Sequence, residues 1–406
     1  MPDVHYRFSP AFQAPTGSAI RELFKYLSLP GMISFAGGYP PPEFFDREGL
    51  RLAAERAFAE APLDCLQYGA TEGLPVLREQ LAGLMLRRGA SVCADDIVVT
   101  TGSQQGLDLL IRVLLEPGQS VLVERPTYPA ALQALRMAGA QVLSAATDAE
   151  GLDTDALAAQ LAALPRGQVR LLYCVPTFAN PTGACLPLAR RLQVLALAAR
   201  HDLLIIEDDP YGALRFSGAE VPSLLALSRE VEGSVGRVMH LASLSKVLAP
   251  GLRVGWMVAP AAVRQRCLIA KQTVDLCTSP WAQRIAAHYL ASGALQQALP
   301  VLAAGYREKC QRMLAGLEPL ESLLSVSPPA GGMFIWARCR AGIDAQTLFN
   351  AAVAENLVFV PGAPFHPDQP DPSSLRLSFA APSLEQIDRG VERLRRAFER
   401  CGIVPN

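Results

Sequence analysis

Lys246 is the residue whose type and position most strongly suggest chemistry. It follows the apolar run Val238–Ala242 and the triplet Ser243–Ser245, and a mainly apolar stretch continues after it. A lysine in such a setting is costly unless it is neutralised, paired or used covalently, because burial disfavours its charge. A half-buried lysine amine is also the nucleophile that forms imines with carbonyl compounds. We therefore expect Lys246 to be an imine-forming amine, and the alternative is an ordinary surface lysine in a loop.

Lysine is scarce in this chain, which shortens the search for a reactive amine. Of the 37 lysines and arginines only four are lysines. Lys25, Lys271 and Lys309 fall within helical patterns, where we expect them on ordinary helix faces. Lys246 is the only lysine that directly follows a predicted sheet strand.

A carboxylate that could cooperate with Lys246 lies at the end of another apolar strand. Asp208 comes directly after the run Leu203–Glu207. The cofactor that combines a lysine imine with an acidic partner is pyridoxal 5'-phosphate, whose ring nitrogen is kept protonated by a carboxylate. The two residues together therefore favour a pyridoxal phosphate enzyme. The alternative for Asp208 is a simple helix cap.

Short apolar strands alternate with helix-length segments from about residue 96 onward. Near-continuous apolar strands joined by helices predict an α/β fold with a mostly parallel, seven-stranded sheet covered by helices. The predicted helices between the first five strands are 103–115, 129–138, 153–163 and 187–200. The predicted strands are Ile97–Thr100, Ser120–Glu124, Gln141–Ser144, Val169–Val175, Leu203–Glu207, Val238–Ala242 and Val254–Ala259.

Polar residues follow several of these strands directly. In open α/β sheets, ligands bind beyond the carboxyl ends of the strands, so these residues are expected to share one site. In chain order they are Ser103, Gln104, Tyr128, Asn180, Asp208, Tyr211, Ser243, Ser245 and Lys246.

Some of these residues have plainer interpretations when they are taken singly. Ser103 could only cap its helix, and Tyr128 could only pack against its neighbours. The segment Asn180–Gly183, with its proline and glycine, could only form a turn. A shared site explains all of them together.

The pattern changes after Pro260, first to long helices as far as Leu317 and then to a mixture of strands and helices. Strand runs at 333–337, 357–360 and 374–379, with helices at 345–356 and 383–400, predict a second, smaller α+β domain. We divide the chain into an N-terminal arm with one helix, Ser18–Leu27, that packs with the small domain and the site (1–44), a large domain (45–292) and a small C-terminal domain (293–406).

Composition and charge exclude several classes of protein. Half of the residues are hydrophobic and the net charge is −1, so nucleic acid is not an expected partner. The longest uncharged stretches are broken by polar residues and proline, and no membrane segment is expected. The five histidines show no ligand spacing, so no metal is expected. Nine scattered cysteines without a pairing framework indicate the cytoplasm.

The motifs, in their order along the chain, resemble those of the fold type I, aspartate-aminotransferase-like pyridoxal phosphate enzymes. They are Asn180-Pro-Thr-Gly, Asp208-x-x-Tyr211, Ser243-x-Ser245-Lys246 and Gly251-x-Arg253-x-Gly255. The phrases ISFAGGYPPPEFF, YGATEG, TGSQQGLDLL and LYCVPTFANPTG look most like the branch that holds 2-aminoadipate, kynurenine and aromatic aminotransferases. The resemblance covers nearly the whole chain.

The resemblance implies a role for each matching residue toward pyridoxal phosphate. Lys246 would join the cofactor covalently and move the substrate proton, and Asp208 would pair with the ring nitrogen. Asn180 and Tyr211 would bond the phenolate oxygen, and Tyr128 would stack on the ring. The phosphate would be held by Ser103, Gln104, Ser243, Ser245 and Arg253.

The resemblance also implies substrate contacts and a dimer. Arg376 matches the arginine that binds the substrate α-carboxylate, although alternation with Leu375 and Leu377 would also suit a solvated strand face. Tyr68 matches a tyrosine that reaches the neighbouring subunit's phosphate, which implies a homodimer with shared sites. Asn180 and Gly38 would line the substrate side, where Arg21 could face the substrate's distal end. The alternative for Arg21 is an ordinary helix surface.

The expected activity is transfer of the amino group of an L-amino acid, whether 2-aminoadipate, aromatic or aliphatic, to a 2-oxo acid such as 2-oxoglutarate in a ping-pong cycle. One alternative is another pyridoxal phosphate reaction on the same fold, such as a carbon–sulfur lyase or a decarboxylase. A third possibility is the aminotransferase-like sensing domain of a transcription regulator. At most 44 residues precede the enzyme-like part of this sequence, which disfavours that possibility.

Overall fold

The computed structural model describes residues 6–13, 17, 19–340 and 342–403. Its strands are β1 (Ile33–Ser34), β2 (Ile97–Thr101), β3 (Ser120–Arg125), β4 (Gln141–Asp148), β5 (Gly151–Leu152), β6 (Val169–Cys174), β7 (Leu204–Asp208), β8 (Val238–Ser243), β9 (Val254–Val258), β10 (Leu324–Ser327), β11 (Phe334–Cys339), β12 (Leu357–Val358), β13 (Val360–Pro361) and β14 (Ser374–Ser378).

The α-helices of the described residues cover both faces of the large sheet and one side of the small domain. They are α1 (Ala19–Glu22), α2 (Phe24–Leu27), α3 (Arg47–Glu60), α4 (Pro62–Leu66), α5 (Pro75–Arg87), α6 (Ser103–Leu114), α7 (Pro129–Met137), α8 (Thr154–Ala163), α9 (Leu188–His201), α10 (Leu224–Leu227), α11 (Ala261–Val274), α12 (Pro280–Ala291), α13 (Ala294–Leu317), α14 (Ala345–Ala354) and α15 (Leu384–Arg400).

The large domain is built on a sheet with the strand order β2-β9-β8-β7-β6-β3-β4-β5. The five strands from β8 to β4 are parallel, which confirms the predicted α/β class. All seven predicted strands are present, and the two-residue β5 extends the edge as an eighth strand. β9 runs antiparallel to both of its neighbours. The short connection 244–253 explains this direction, because a parallel return needs a longer crossover.

Successive residues of the central strands contact helices on opposite faces of the sheet. In β3, Val121 and Val123 pack with α6 and α7, whereas Leu122 packs with α8 and α9. All three side chains are fully buried. Burial on both faces explains why the strands appear as continuous apolar runs in the sequence.

The small domain is an antiparallel sheet in the order β10-β11-β14-β13 with α13, α14 and α15. The segment 357–360, predicted as one strand, forms two short strands that separate at Phe359. β12 pairs in parallel with β1, which ties the N-terminal segment to this domain. β13 pairs instead with β14. The split arises because the two halves bond to different sheets.

The N-terminal helix predicted over Ser18–Leu27 is not continuous. Its first residue lies outside the described residues, and the rest forms the four-residue helices α1 and α2, which are separated at Leu23. None of the helices in the described ranges is long and apolar enough to cross a bilayer.

Candidate functional site

Two adjoining cavities lie at the carboxyl ends of the parallel strands. The inner cavity has a volume of about 140 Å³ and the outer cavity about 1230 Å³. The predicted residues that line the inner cavity are Ser103, Gln104, Tyr128, Asn180, Asp208, Tyr211, Ser243, Ser245, Lys246 and Arg253. The outer cavity contains three further predicted residues, namely Arg21, Gly38 and Arg376. Lys246 lies on the boundary, since it lines both cavities.

Lys246 ends a short 3₁₀ turn that follows β8, so its amine projects into the site from the sheet edge. Its Nζ donates a hydrogen bond to the Gly38 carbonyl oxygen at 2.7 Å. Burial lowers the pKa of this amine to about 8, and the positive charges of Arg253 and Arg376 act in the same direction. A lowered pKa increases the fraction of neutral amine, which is the nucleophilic form.

Two of the other lysines do not lie on ordinary helix faces, and that expectation was wrong. Lys271 is fully buried and pairs with Asp275 at 2.8 Å. Lys309 is also buried and pairs with Glu43 at 2.9 Å. Burial alone therefore does not single out Lys246. What distinguishes Lys246 is that its Nζ donates to a neutral carbonyl and forms no ion pair with a carboxylate among the described residues.

Asp208 is the last residue of β7, and its carboxylate is buried at the floor of the inner cavity. Its Oδ2 accepts a hydrogen bond from the Tyr173 hydroxyl at 2.8 Å. Its Oδ1 is buried and has no hydrogen-bond partner within the described part of the chain. Burial raises the pKa of Asp208 to about 6, so a nearby positive charge would strongly favour its ionised form.

Three residues surround the space between Asp208 and Lys246. Asn180 is buried, and its side chain interacts with the Tyr211 hydroxyl. Burial raises the pKa of Tyr211 well above its ordinary value and that of Tyr128 to about 12, so both hydroxyls stay protonated at neutral pH. The set can therefore donate hydrogen bonds to an oxygen anion placed between them.

Hydroxyl, amide and guanidinium groups converge beside the first turn of α6. Ser103 begins this helix, and its backbone packs directly against Gly255 of β9. Ser243 donates to the Ser245 hydroxyl at 2.8 Å. Arg253 adopts a left-handed conformation, with φ of +54°, which is unusual for a residue with a side chain. A helix N-terminus with a guanidinium beside it is a binding site for a phosphate.

Arg376 occupies the middle of β14 and reaches the site from the small domain. Only 2% of the residue is exposed, so the alternative of a solvated strand face is wrong. Its Nη1 donates to Asn180 Oδ1 and its Nη2 to the Ala36 carbonyl oxygen, both at 2.7 Å. Burial lowers its pKa to about 10, which leaves it charged at neutral pH. Its Nε is buried and has no hydrogen-bond partner among the described residues, and a guanidinium with a free N–H can pair with a carboxylate.

Of the remaining predicted residues, two line the outer cavity and one lies away from both cavities. Gly38 borders the outer cavity and accepts the Lys246 hydrogen bond. Arg21, on α1, is exposed to solvent and lines the same cavity. Tyr68 lies elsewhere, with 77% of its surface exposed, and it lines neither cavity of its own subunit.

Sequence reasoning missed Tyr173, which bonds Asp208 from the neighbouring strand. The register explains the contact: Tyr173 is opposite Ile206, and Asp208 lies two residues further along on the same face. A strand register was needed to find it. In the described ranges, no group of three or more His, Cys, Asp or Glu side chains is arranged to hold a metal ion.

Comparisons with known proteins agree with this geometry. Residues 45–394 match the family model described as aminotransferase class I and II. The chain is 38% identical to aromatic-amino-acid aminotransferase 1 of Thermococcus litoralis, covering 97% of this chain and 94% of the relative. It is 41% identical to the 2-aminoadipate transaminase of Thermus thermophilus, covering 94% of each.

A solved structure extends the comparison to the fold. The crystal structure of LysN, the α-aminoadipate aminotransferase of Thermus thermophilus complexed with N-(5'-phosphopyridoxyl)-L-leucine, has a TM-score of 0.89 and 39% identity over 97% of both chains. These relatives favour amino transfer over the lyase, decarboxylase and regulator alternatives. The chain therefore belongs to the class I and II aminotransferases, and it is a pyridoxal phosphate-dependent transaminase of fold type I.

Proposed function

We propose that the two cavities form the active site of this aminotransferase and that it moves an amino group from an L-amino acid to a 2-oxo acid by a ping-pong cycle. The observation that carries the proposal is the arrangement around the inner cavity. An amine of lowered pKa, Lys246, shares that space with Asp208, a carboxylate that has one unpartnered oxygen.

The residues of the inner cavity fit pyridoxal phosphate. The unpartnered Asp208 Oδ1 is an acceptor for a protonated ring nitrogen, and Asn180 with Tyr211 suits the phenolate oxygen. The first turn of α6 with Arg253 suits the phosphate. When it is bound, pyridoxal phosphate supplies an electron sink that stabilises the carbanion formed at the substrate Cα.

The chain's own groups then bind, orient and move a proton. Lys246 would hold the cofactor, and its amine is placed to accept and return the proton of the substrate Cα. Asp208 would pair with the ring nitrogen, and Tyr128, which lines the same cavity, would stack on the ring. Arg376 orients the substrate by its α-carboxylate. Ser103, Gln104, Ser243, Ser245 and Arg253 fix the phosphate end.

The two relatives named above suggest the substrate class. One is named for aromatic amino acids and the other for 2-aminoadipate, and we propose that this enzyme accepts such donors, with 2-oxoglutarate as acceptor. Arg21 lines the outer cavity, where its guanidinium suits a terminal carboxylate. Its aliphatic stem can also cover an apolar side chain. Both substrate types are compatible with one flexible arginine.

We further propose a cytoplasmic homodimer with shared sites. The exposed Tyr68 follows α4, where Leu63 and Leu66 are also largely exposed. Such apolar exposure supports burial against another chain, and an isologous dimer would bring Tyr68 to its partner's phosphate. The division of the chain into an N-terminal arm (1–44), a large domain (45–292) and a small domain (293–406) is part of the same proposal.

A spectral titration of the purified enzyme with a panel of amino acids tests the function. True donors should convert the lysine-bound cofactor to its amine form, and 2-oxoglutarate should reverse the change. Lys246→Ala should remove the visible band of the lysine-bound cofactor and lower turnover by at least about 100-fold, while the fold is retained. An active Lys246→Ala variant with an unchanged spectrum would disprove the proposed site.

The role of Arg21 is tested separately by substrate choice. Arg21→Ala should raise KM for 2-aminoadipate and 2-oxoglutarate about 10-fold, the equivalent of one charge-assisted contact, and change KM for leucine or phenylalanine far less. Arg266→Ala, on an exposed face of α11, is the control and should leave all constants unchanged. An equal loss for every substrate would mean that Arg21 supports only the fold.

A further inference from the structure

The two oxygens of the Asp208 carboxylate have different surroundings. Oδ2 accepts a hydrogen bond from the Tyr173 hydroxyl, and Oδ1 has no partner among the described residues. Tyr173 is fully buried, and its ring is packed in the sheet core, so its hydroxyl has little freedom to move. The contact therefore fixes the rotation of the carboxylate.

We propose that Tyr173 is a positioning residue, which directs Asp208 Oδ1 toward the cofactor's ring nitrogen and stabilises the ionised carboxylate. The inference rests on the proposed role of Asp208. A hydroxyl that donates a hydrogen bond to one oxygen of Asp208 favours the ionised carboxylate. The hydrogen bond to a carboxylate is stronger than the bond to a carboxylic acid. It also leaves the second oxygen available for the ring.

The donor is a neutral group, and this suits the task. A lysine or arginine in place of Tyr173 would neutralise Asp208 and compete with the protonated ring for its charge. Burial raises the pKa of Tyr173 well above its ordinary value, so it remains a donor over the working range of pH. The charged or titratable groups that also face this pair are Glu124, Tyr128, Asp209, His240 and Lys246.

A second hydrogen-bonded tyrosine–aspartate pair, in which the aspartate is partly exposed, provides a control. The Tyr289 hydroxyl donates to Asp46 Oδ2 at 3.0 Å, and Tyr289 is also buried. This pair joins α12 to the start of α3 and lines neither cavity. Tyr289→Phe removes the same chemical group from the same kind of bond, at a position that should not influence the cofactor.

The test compares the holoenzymes of Tyr173→Phe and Tyr289→Phe by the pH titration of the bound cofactor's visible spectrum and by its dissociation constant. In Tyr173→Phe the cofactor should bind about 10-fold more weakly, as for loss of a bond to a charged group. The pH of the spectral transition, at which the imine between Lys246 and the cofactor loses its proton, should rise. A ring nitrogen that is less protonated repels the imine proton less, so the pKa of the imine increases. Tyr289→Phe should change neither quantity, and thermal unfolding reports the fold of both variants.

A double-variant cycle separates positioning from a structural effect. If Tyr173 acts through Asp208, adding Tyr173→Phe to Asp208→Asn should shift the spectral transition no further. Suppose that Asp208→Asn alone moves the spectral transition. The inference is then overturned if Tyr173→Phe does not shift the transition, or if its shift adds to that of Asp208→Asn in the double variant. If Asp208→Asn itself leaves the spectrum unchanged, the proposed role of Asp208 fails as well.

Discussion

Asp208 shows at the scale of one residue how function and stability conflict. Its carboxylate is buried, and burial raises its pKa to about 6 from a value near 3.8. A group whose pKa is higher in the folded state contributes stability at low pH and loses that contribution as pH rises through 6. The apoprotein therefore holds a charge at neutral pH that folding disfavours and that a protonated cofactor ring would neutralise.

Replacing this charge should stabilise the apoprotein. Apo Asp208→Asn is expected to exceed the wild-type free energy of unfolding by about 3 kcal/mol at pH 8, and by about half as much at pH 5. Urea unfolding of both apoproteins at the two pH values measures the difference. The same variant should bind cofactor but lose most of its turnover, because a neutral amide cannot hold the ring proton.

The neighbouring carboxylate gives the opposite expectation and serves as the control. Asp209 pairs with Arg88 at 2.8 Å, so Asp209→Asn should lose about 1–3 kcal/mol of stability and keep most of its turnover. An apo Asp208→Asn that is less stable than the wild type at both pH values would contradict the argument.

At the scale of elements, the phosphate end of the site depends on close backbone packing. Gly255 of β9 pairs with Thr100 of β2 and Ser243 of β8, so it lies between two strands that lead into the site. A Cβ placed on Gly255 would lie 2.6 Å from the backbone of Gly102 and Ser103, closer than packing allows. Only glycine permits the first turn of α6 to approach β9 this closely.

Gly255→Ala should therefore disturb the turn that begins α6. We expect a loss of about 1–3 kcal/mol in stability and at least about a 10-fold loss in cofactor affinity, because the clash is with backbone atoms. Gly251→Ala is the matched control in the same motif, since a Cβ there meets nothing within 4 Å. Thermal unfolding and cofactor titration measure both effects. Equal behaviour of the two variants would refute the packing argument.

Element positions were largely predictable because the central strands are buried on both faces. All seven predicted strands appear within a few residues of their expected bounds. The reversed direction of β9 was not predictable from an apolar run, since direction depends on the connection before it. The break at Leu23 was also missed. The split at Phe359 was missed because a local apolar pattern does not report which sheet each half of a segment will pair with.

At the scale of the whole molecule, the site joins parts that are distant in sequence. Arg376 comes from the small domain and bonds Asn180 of the large domain, while Gly38 belongs to the N-terminal segment. The motif order predicted most of the residues that line the inner cavity, because strand ends converge in this fold, but few of those that line only the outer cavity. The burial and pairing of Lys271 and Lys309 could not be predicted, since their partners Asp275 and Glu43 are known only from the packing.

A mixing experiment tests whether the site also includes a second chain. Dimers that combine one Tyr68→Phe chain with one Lys246→Ala chain should contain one site with both changes and one with neither. Refolded mixtures should therefore regain cofactor affinity and turnover at half of the hybrid's sites. Each homodimer alone is the control. An active monomer, or hybrids without any restored site, would contradict shared sites.

The scarcity of lysine has a practical consequence for handling this protein. Lys271 and Lys309 are buried in ion pairs, so Lys25 is the only lysine with an exposed side chain, and Lys246 opens into the two cavities. Amine-directed dyes, crosslinkers and immobilisation resins therefore have few side chains to attack. Attachment near pH 8 would modify the N-terminal segment or inactivate the enzyme, and saturation with cofactor before coupling would direct the label to Lys25.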